Sequence, residues 1–80
     1  MKKKPDSDFQ LFLQHIGNNL KKVRNKKGLT QEMVAEMNCI DYKYYQRLEA
    51  GKVNITAKIL YKISKSLNVN PKILIDIDKD

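Results

Sequence analysis

The stretch from Thr30 to Gly51, TQEMVAEMNCIDYKYYQRLEAG, constrains the fold more than any other, because it reads as two short helices on either side of a tight turn. Thr30 is an N-cap whose hydroxyl can accept from the amides of the next turn, and Gln31 and Glu32 follow inside that turn. Val34 and Ala35, with Met33 and Met37, supply the apolar stripe of the first helix, and the small Ala35 admits a second backbone close by. Asn38 and Cys39 end this helix, Ile40 turns inward, and Asp41 caps the next one. In the second helix Tyr45 and Leu48 share one face while Tyr42, Lys43, Gln46 and Arg47 share the other, with Gly51 placed to stop it. One face packs and the other is left for a partner. A short helix of this kind, polar at its N-terminal end and backed by a crossing helix, fits a DNA major groove, which is about 12 Å wide.

Charge points the same way. The chain has 80 residues and a formal net charge of +7, which favours a polyanionic partner, nucleic acid first and an anionic membrane surface second. No run approaches the roughly 18 apolar residues of a membrane span. The opening Lys2, Lys3 and Lys4 are followed by Pro5, Asp6, Ser7 and Asp8 where a secretory peptide needs its apolar stretch, so a cytoplasmic location is expected. The single Cys39 excludes an internal disulfide and, with the single His15, leaves no metal site and no Cys/His nucleophile pair. Paired carboxylates at useful spacing and a glycine-rich phosphate loop are also missing from the sequence, so neither an enzyme, a cofactor nor a small-molecule ligand is expected.

Eighty residues with 41% hydrophobic content, three Gly and two Pro describe one folded, helix-rich domain. Residues 1–7 form a basic-polar arm with two open readings, a solvated tail or an arm that follows phosphates or enters a minor groove. From Phe9 the apolar positions 9, 12, 13, 16, 20 and 23 trace one face of a helix expected over about 8 to 27, with Gly17 inside it costing about 1 kcal/mol against Ala. Lys21, Lys22, Lys26 and Lys27 read as a solvated face near the negative end of the helix dipole, and Gly28 provides the stop. Thr56 caps a fourth helix, Ala57 to Leu67, with Leu60, Ile63 and Leu67 as its core stripe and Lys58, Lys62 and Lys65 outward. Asn68 is a left-handed C-cap, and Asn70 with Pro71 opens a short fifth helix. Ile73, Leu74, Ile75 and Ile77 are more apolar surface than so short a helix buries, which predicts a dimer contact; the competing reading has Ile73, Leu74 and Ile77 closing the core. Asp76, Asp78 and Asp80 make an acidic tail that should point away from DNA. The organisation expected is therefore an arm over 1–7 and one all-α domain over 8–80.

Five short words occur in order: GLTQ at 28–31, AE at 35–36, ID at 40–41, YYQRLEAGK at 44–52 and SLNVNPKIL at 66–74. In this set the chain resembles the Cro/repressor-type, or XRE-like, helix-turn-helix family over roughly Ile16 to Leu74. The resemblance implies a five-helix, lambda-repressor-like DNA-binding domain that regulates transcription as a homodimer on a palindromic stretch of double-stranded DNA, with a recognition helix over 42–50. It assigns Tyr42, Lys43 and Arg47 to base edges, and Gln31, Tyr44, Gln46, Lys52, Asn54 and Lys58 to phosphates, with Gln31 also bracing the recognition helix. It also implies that Tyr45 is core and that Arg24 pairs with Glu49, tying the first helix to the third. Within such a family a restriction–modification controller and an antitoxin are alternatives, and a protein-interaction module using the C-terminal helix is an alternative of another class.

Two departures from the family pattern stand out. Cys39 occupies a turn position that is usually Gly, where a left-handed non-glycine residue costs roughly 1–2 kcal/mol. It reads as a small hydrophobe under the turn, with a redox switch as the alternative. Met37, near the end of the first helix of the pair, is expected to fill the apolar position there.

Overall fold

The computed structural model describes residues 7–77. Residues 1–6 of the expected arm, and Asp78 and Asp80 of the expected tail, lie outside the described residues. The order is α1 (Ser7–Lys26), α2 (Gln31–Met37), α3 (Tyr42–Glu49), α4 (Ala57–Leu67) and α5 (Pro71–Ile75), with no strand among the described residues. Ser7, placed in the arm by sequence, is the first residue of α1.

Local chemistry sets the boundaries. Thr30, Asp41, Thr56 and Asn70 are extended residues whose side chains accept from the backbone N–H groups of Met33, Tyr44, Ile59 and Lys72, so the four later helices each begin on a side-chain cap. Helices α1 to α4 end alike, on a left-handed residue at Gly28, Cys39, Gly51 or Asn68. At the end of α2 the Ile40 N–H donates to the Ala35 carbonyl at 3.0 Å and the Cys39 N–H to the Glu36 carbonyl at 3.1 Å, the paired closure of a Schellman motif. Cys39 adopts φ of +55° there, the conformation that its family position implies.

The core joins all five helices through Leu20, Val34, Ala35, Tyr45, Leu48, Ile63, Leu67 and Leu74, each worth roughly 1.5–3 kcal/mol where a large side chain is fully withdrawn from water. Helix α1 runs unbroken through Gly17 because the residue sits where α1 crosses the end of α3. A Cβ on Gly17 would lie 2.3 Å from the Glu49 carbonyl oxygen and 2.8 Å from that of Leu48. The propensity cost of a mid-helix glycine is thus offset by a backbone approach that only glycine permits. One turn earlier, α1 meets Gly51, where a Cβ would fall 2.7 Å from the Gln14 Cα.

Several packing expectations are corrected. Met37 does not fill the end of α2: it is 46% exposed, and Met33 is 47% exposed. The buried face is Val34, Ala35 and Asn38, and Met37 lies roughly 100° round the helix from it. Asn38 takes the inner position, its amide donating to the Val34 carbonyl and to Ser66 Oγ, both at 2.9 Å, so a polar side chain is buried with its needs met. Cys39 is exposed, not under the turn, because its left-handed backbone swings the side chain outward. In α4 the inner face is Ile63, Ser64 and Leu67, with Leu60 and Lys62 half-buried. Leu74 is 0% exposed and belongs to its own chain's core, so it is withdrawn from the dimer contact, whereas Ile73 and Ile75 are exposed and Ile77 is half-buried. The Asn19 amide fixes this end by donating to the Leu74 and Asp76 carbonyls at 3.0 and 2.8 Å.

Candidate nucleic-acid interface

Helix α3 carries two chemistries on its two faces. Inward, Tyr45, Leu48 and Glu49 are buried; outward, Tyr42, Lys43, Gln46 and Arg47 are exposed. The outward residues occupy i, i+1, i+4 and i+5, a single stripe of a helix with 3.6 residues per turn. Tyr44, which the resemblance assigned to a phosphate contact, is half-buried and packs against the core.

The inward face is locked by one carboxylate. Glu49 Oε2 accepts from Arg24 Nε at 2.6 Å and from the Tyr45 hydroxyl, and Oε1 accepts from Arg24 Nη2 at 3.1 Å and Gln31 Nε2 at 2.9 Å. The remaining Arg24 nitrogen, Nη1, donates to the Leu29 carbonyl at 2.8 Å. One carboxylate thereby ties α1, the start of α2 and α3 together. Burial pushes the Glu49 carboxyl upward, but the hydrogen bonds from Arg24, Tyr45 and Gln31 outweigh it and hold the group below its ordinary carboxylate range. The same hydrogen bond to Glu49 raises Arg24 above its usual value, and burial followed by the bond to Glu49 raises the Tyr45 phenol. Both ions therefore stay charged and fully bonded in the interior.

The sequence named Arg24 and Glu49 but did not see the hydroxyl that Tyr45 adds. The available signal was a tyrosine, rather than a wholly apolar residue, four positions before the glutamate on the buried face. The resemblance gave Gln31 a phosphate contact and a role bracing the recognition helix; its side chain is half-buried and its amide donates to Glu49 of that helix. Lys52 and Asn54 are exposed in the loop after α3, and Lys58 is exposed in the first turn of α4. Among the described residues no helix is long and apolar enough to cross a membrane.

This arrangement, a capped two-turn helix, a left-handed turn and a second capped helix with its polar stripe in solvent, matches a helix-turn-helix family model (HTH_3) over residues 20–74. The chain belongs to this helix-turn-helix family. Control protein C.MunI from a Mycoplasma species is 39% identical over 67 residues, spanning 81% of this chain and 90% of that protein. The helix-turn-helix-type transcriptional regulator y4dJ of Sinorhizobium fredii is 36% identical over 55 residues, 69% of this chain and 71% of the relative. Among solved structures, the restriction–modification controller protein C.AhdI from Aeromonas hydrophila superposes with a TM-score of 0.75 at 31% identity, covering 78% of this chain and 94% of that one. The chain is a DNA-binding transcriptional regulator of this family, and its fold is the family's all-helical one.

Proposed function

We propose that the protein acts as a homodimer on a palindromic operator, laying α3 in the major groove of each half-site, in a controller-type role. The observation that carries this reading is the division of α3: its Glu49 end is anchored to α1 and α2, so Tyr42, Lys43 and Arg47 are held in solvent on a rigid support. Arg47 can donate bidentately to guanine O6 and N7 and Lys43 can donate to the same edge, each good pair giving about 1–3 kcal/mol of discrimination. Tyr42 offers its ring to a thymine methyl or its hydroxyl to a phosphate. Gln31, Gln46, Lys52, Asn54 and Lys58 supply backbone contacts that set register without reading sequence. Ile73 and Ile75, exposed on α5, are the apolar surface that this helix offers to the second copy. The controller role is supported by resemblance to two control proteins that this chain covers nearly end to end.

Binding-site selection from a random duplex library at two salt concentrations tests the proposal. A palindromic motif with half-site centres about 34 Å apart, retained at the higher salt, is the expected result. Sedimentation of the complex should give two chains per duplex. No enrichment, with affinity that vanishes as salt rises, would leave only the phosphate attraction and overturn operator reading.

A further inference from the structure

Beside the anchored end of α3 lies an open polar cleft of about 400 Å³, walled on one side by Gln14, Asn18 and Lys21 of α1 and on the other by Gln31 and Gln46. The α1 residues stand at i, i+4 and i+7, so they form one row about 10 Å long on a single helix face. All three are exposed, and none is acidic. The opposite wall consists of the residue that opens α2 and a residue of the solvent stripe of α3.

We propose that this α1 row is a further phosphate-contact surface, so that the DNA strand passing Gln31 and Gln46 is held from its other side by Lys21, assisted by the amides of Gln14 and Asn18. The inference rests on the DNA reading above and adds α1 to the contacts already assigned to α2, α3, the loop after α3 and Lys58 of α4. The electrostatics favour it. Glu49 also borders the cleft, but both of its oxygens are engaged by Arg24, Tyr45 and Gln31, and its charge is matched by the buried guanidinium. Lys21 forms no ion pair with any described residue, so its ammonium is available to an incoming anion. The row lies on α1, outside the α3 stripe that faces the base edges, and there amide N–H donors beside an ammonium suit phosphate oxygens, contacts that hold position without reading sequence. The row spans about three nucleotide steps of rise at about 3.4 Å each, the reach of a short backbone segment.

The test is duplex affinity against salt concentration for the full chain and for Lys21→Ala, with Lys52→Ala and Lys65→Ala alongside. Lys65 lies on α4 with its ammonium 5.9 Å from the Tyr61 ring centre, away from the cleft, and serves as the neutral control. Because the dimer carries two copies, Lys21→Ala should lower the salt slope by about 1.8 and shrink the affinity loss between 50 and 200 mM salt by roughly twelvefold. The drop should be the same on the selected operator and on unrelated duplex, and site selection with the variant should return the same motif. Lys21→Glu should weaken binding further, with both variants melting at the wild-type temperature. If Lys52→Ala lowers the slope while Lys21→Ala and Lys21→Glu match the wild type, the α1 row is not a contact and the inference is wrong. A Lys21→Ala variant that changes the selected motif would also overturn it, since that outcome belongs to base reading. If the wild type itself binds no duplex, the DNA reading fails first, a result distinct from either.

Discussion

The two faces of α3 have nearly the same length and opposite logic. On the buried face, Glu49 is held by partners on two other helices and by Tyr45 of its own, and any loss there leaves a charge or donor stranded inside. On the open face, Tyr42, Lys43 and Arg47 are exposed, which leaves them free to meet a partner. The difference shows how eight residues can be both a structural keystone and a reading surface: position is fixed from one side so that chemistry can be varied on the other.

The sharpest way to break this division is to remove its anchor. Glu49→Ala should cost about 3–5 kcal/mol of stability, because it strands the Arg24 guanidinium in the interior. Urea denaturation checks it, and the double variant Arg24→Met with Glu49→Leu should recover much of the loss. The same anchor has a pH signature. The Glu49 carboxyl is lowered in the folded state, so its contribution is fully present above the unfolded carboxyl value of about 4.3 and is lost as pH falls through the folded value beneath it. Melting temperature followed downward from pH 5 should therefore fall less steeply in Glu49→Gln than in the wild type.

Gly17→Ala comes next. Its Cβ would meet the Glu49 carbonyl at 2.3 Å, so α1 and α3 must part, at a cost of roughly 1–3 kcal/mol in place of the gain that a mid-helix alanine usually brings. On the open face the sign of the comparison reverses. Arg47→Ala should leave stability within about 0.5 kcal/mol yet cost about 1–3 kcal/mol in operator discrimination, seen as a relaxed motif in site selection. If Arg47→Ala unfolded the protein, or Glu49→Ala left its melting unchanged, the two faces would not be separable as described. The smallest effect is at the turn between them. Cys39→Gly should stabilise by about 1 kcal/mol, because glycine carries no penalty at φ of +55° and the exposed thiol makes no packing contribution to lose. DNA affinity should not move.

Much of this was legible before any coordinates. The caps Thr30, Asp41, Thr56 and Asn70 are side-chain chemistry within three residues of the amides they satisfy, so the helix starts could be read locally. The division of α3 followed from its period. Apolar identity alone misled where a helix presents more hydrophobic residues than its partner can cover: Met33 and Met37 stayed outside while Asn38 went in, because Ser66 on α4 was there to receive its amide. The C-terminal apolar cluster was equally ambiguous, since Leu74, Ile73 and Ile75 differ in burial through where α5 lands on α1 and α4.

By itself, then, the sequence determined the helices, their caps and the helix-turn-helix, because each depends on neighbours along the chain or on a motif with fixed spacing, while the pairing of Arg24 with Glu49 came only through the family resemblance. Tertiary structure alone decided that Gly17 is a crossing point rather than a weak spot, that Tyr45 and Gln31 complete the Glu49 network, and that Gln14, Asn18 and Lys21 face the same cleft as Gln31 and Gln46. Each of these joins residues from different helices, and the distance between two helices is set by how their side chains interlock, a quantity that no single stretch of sequence contains.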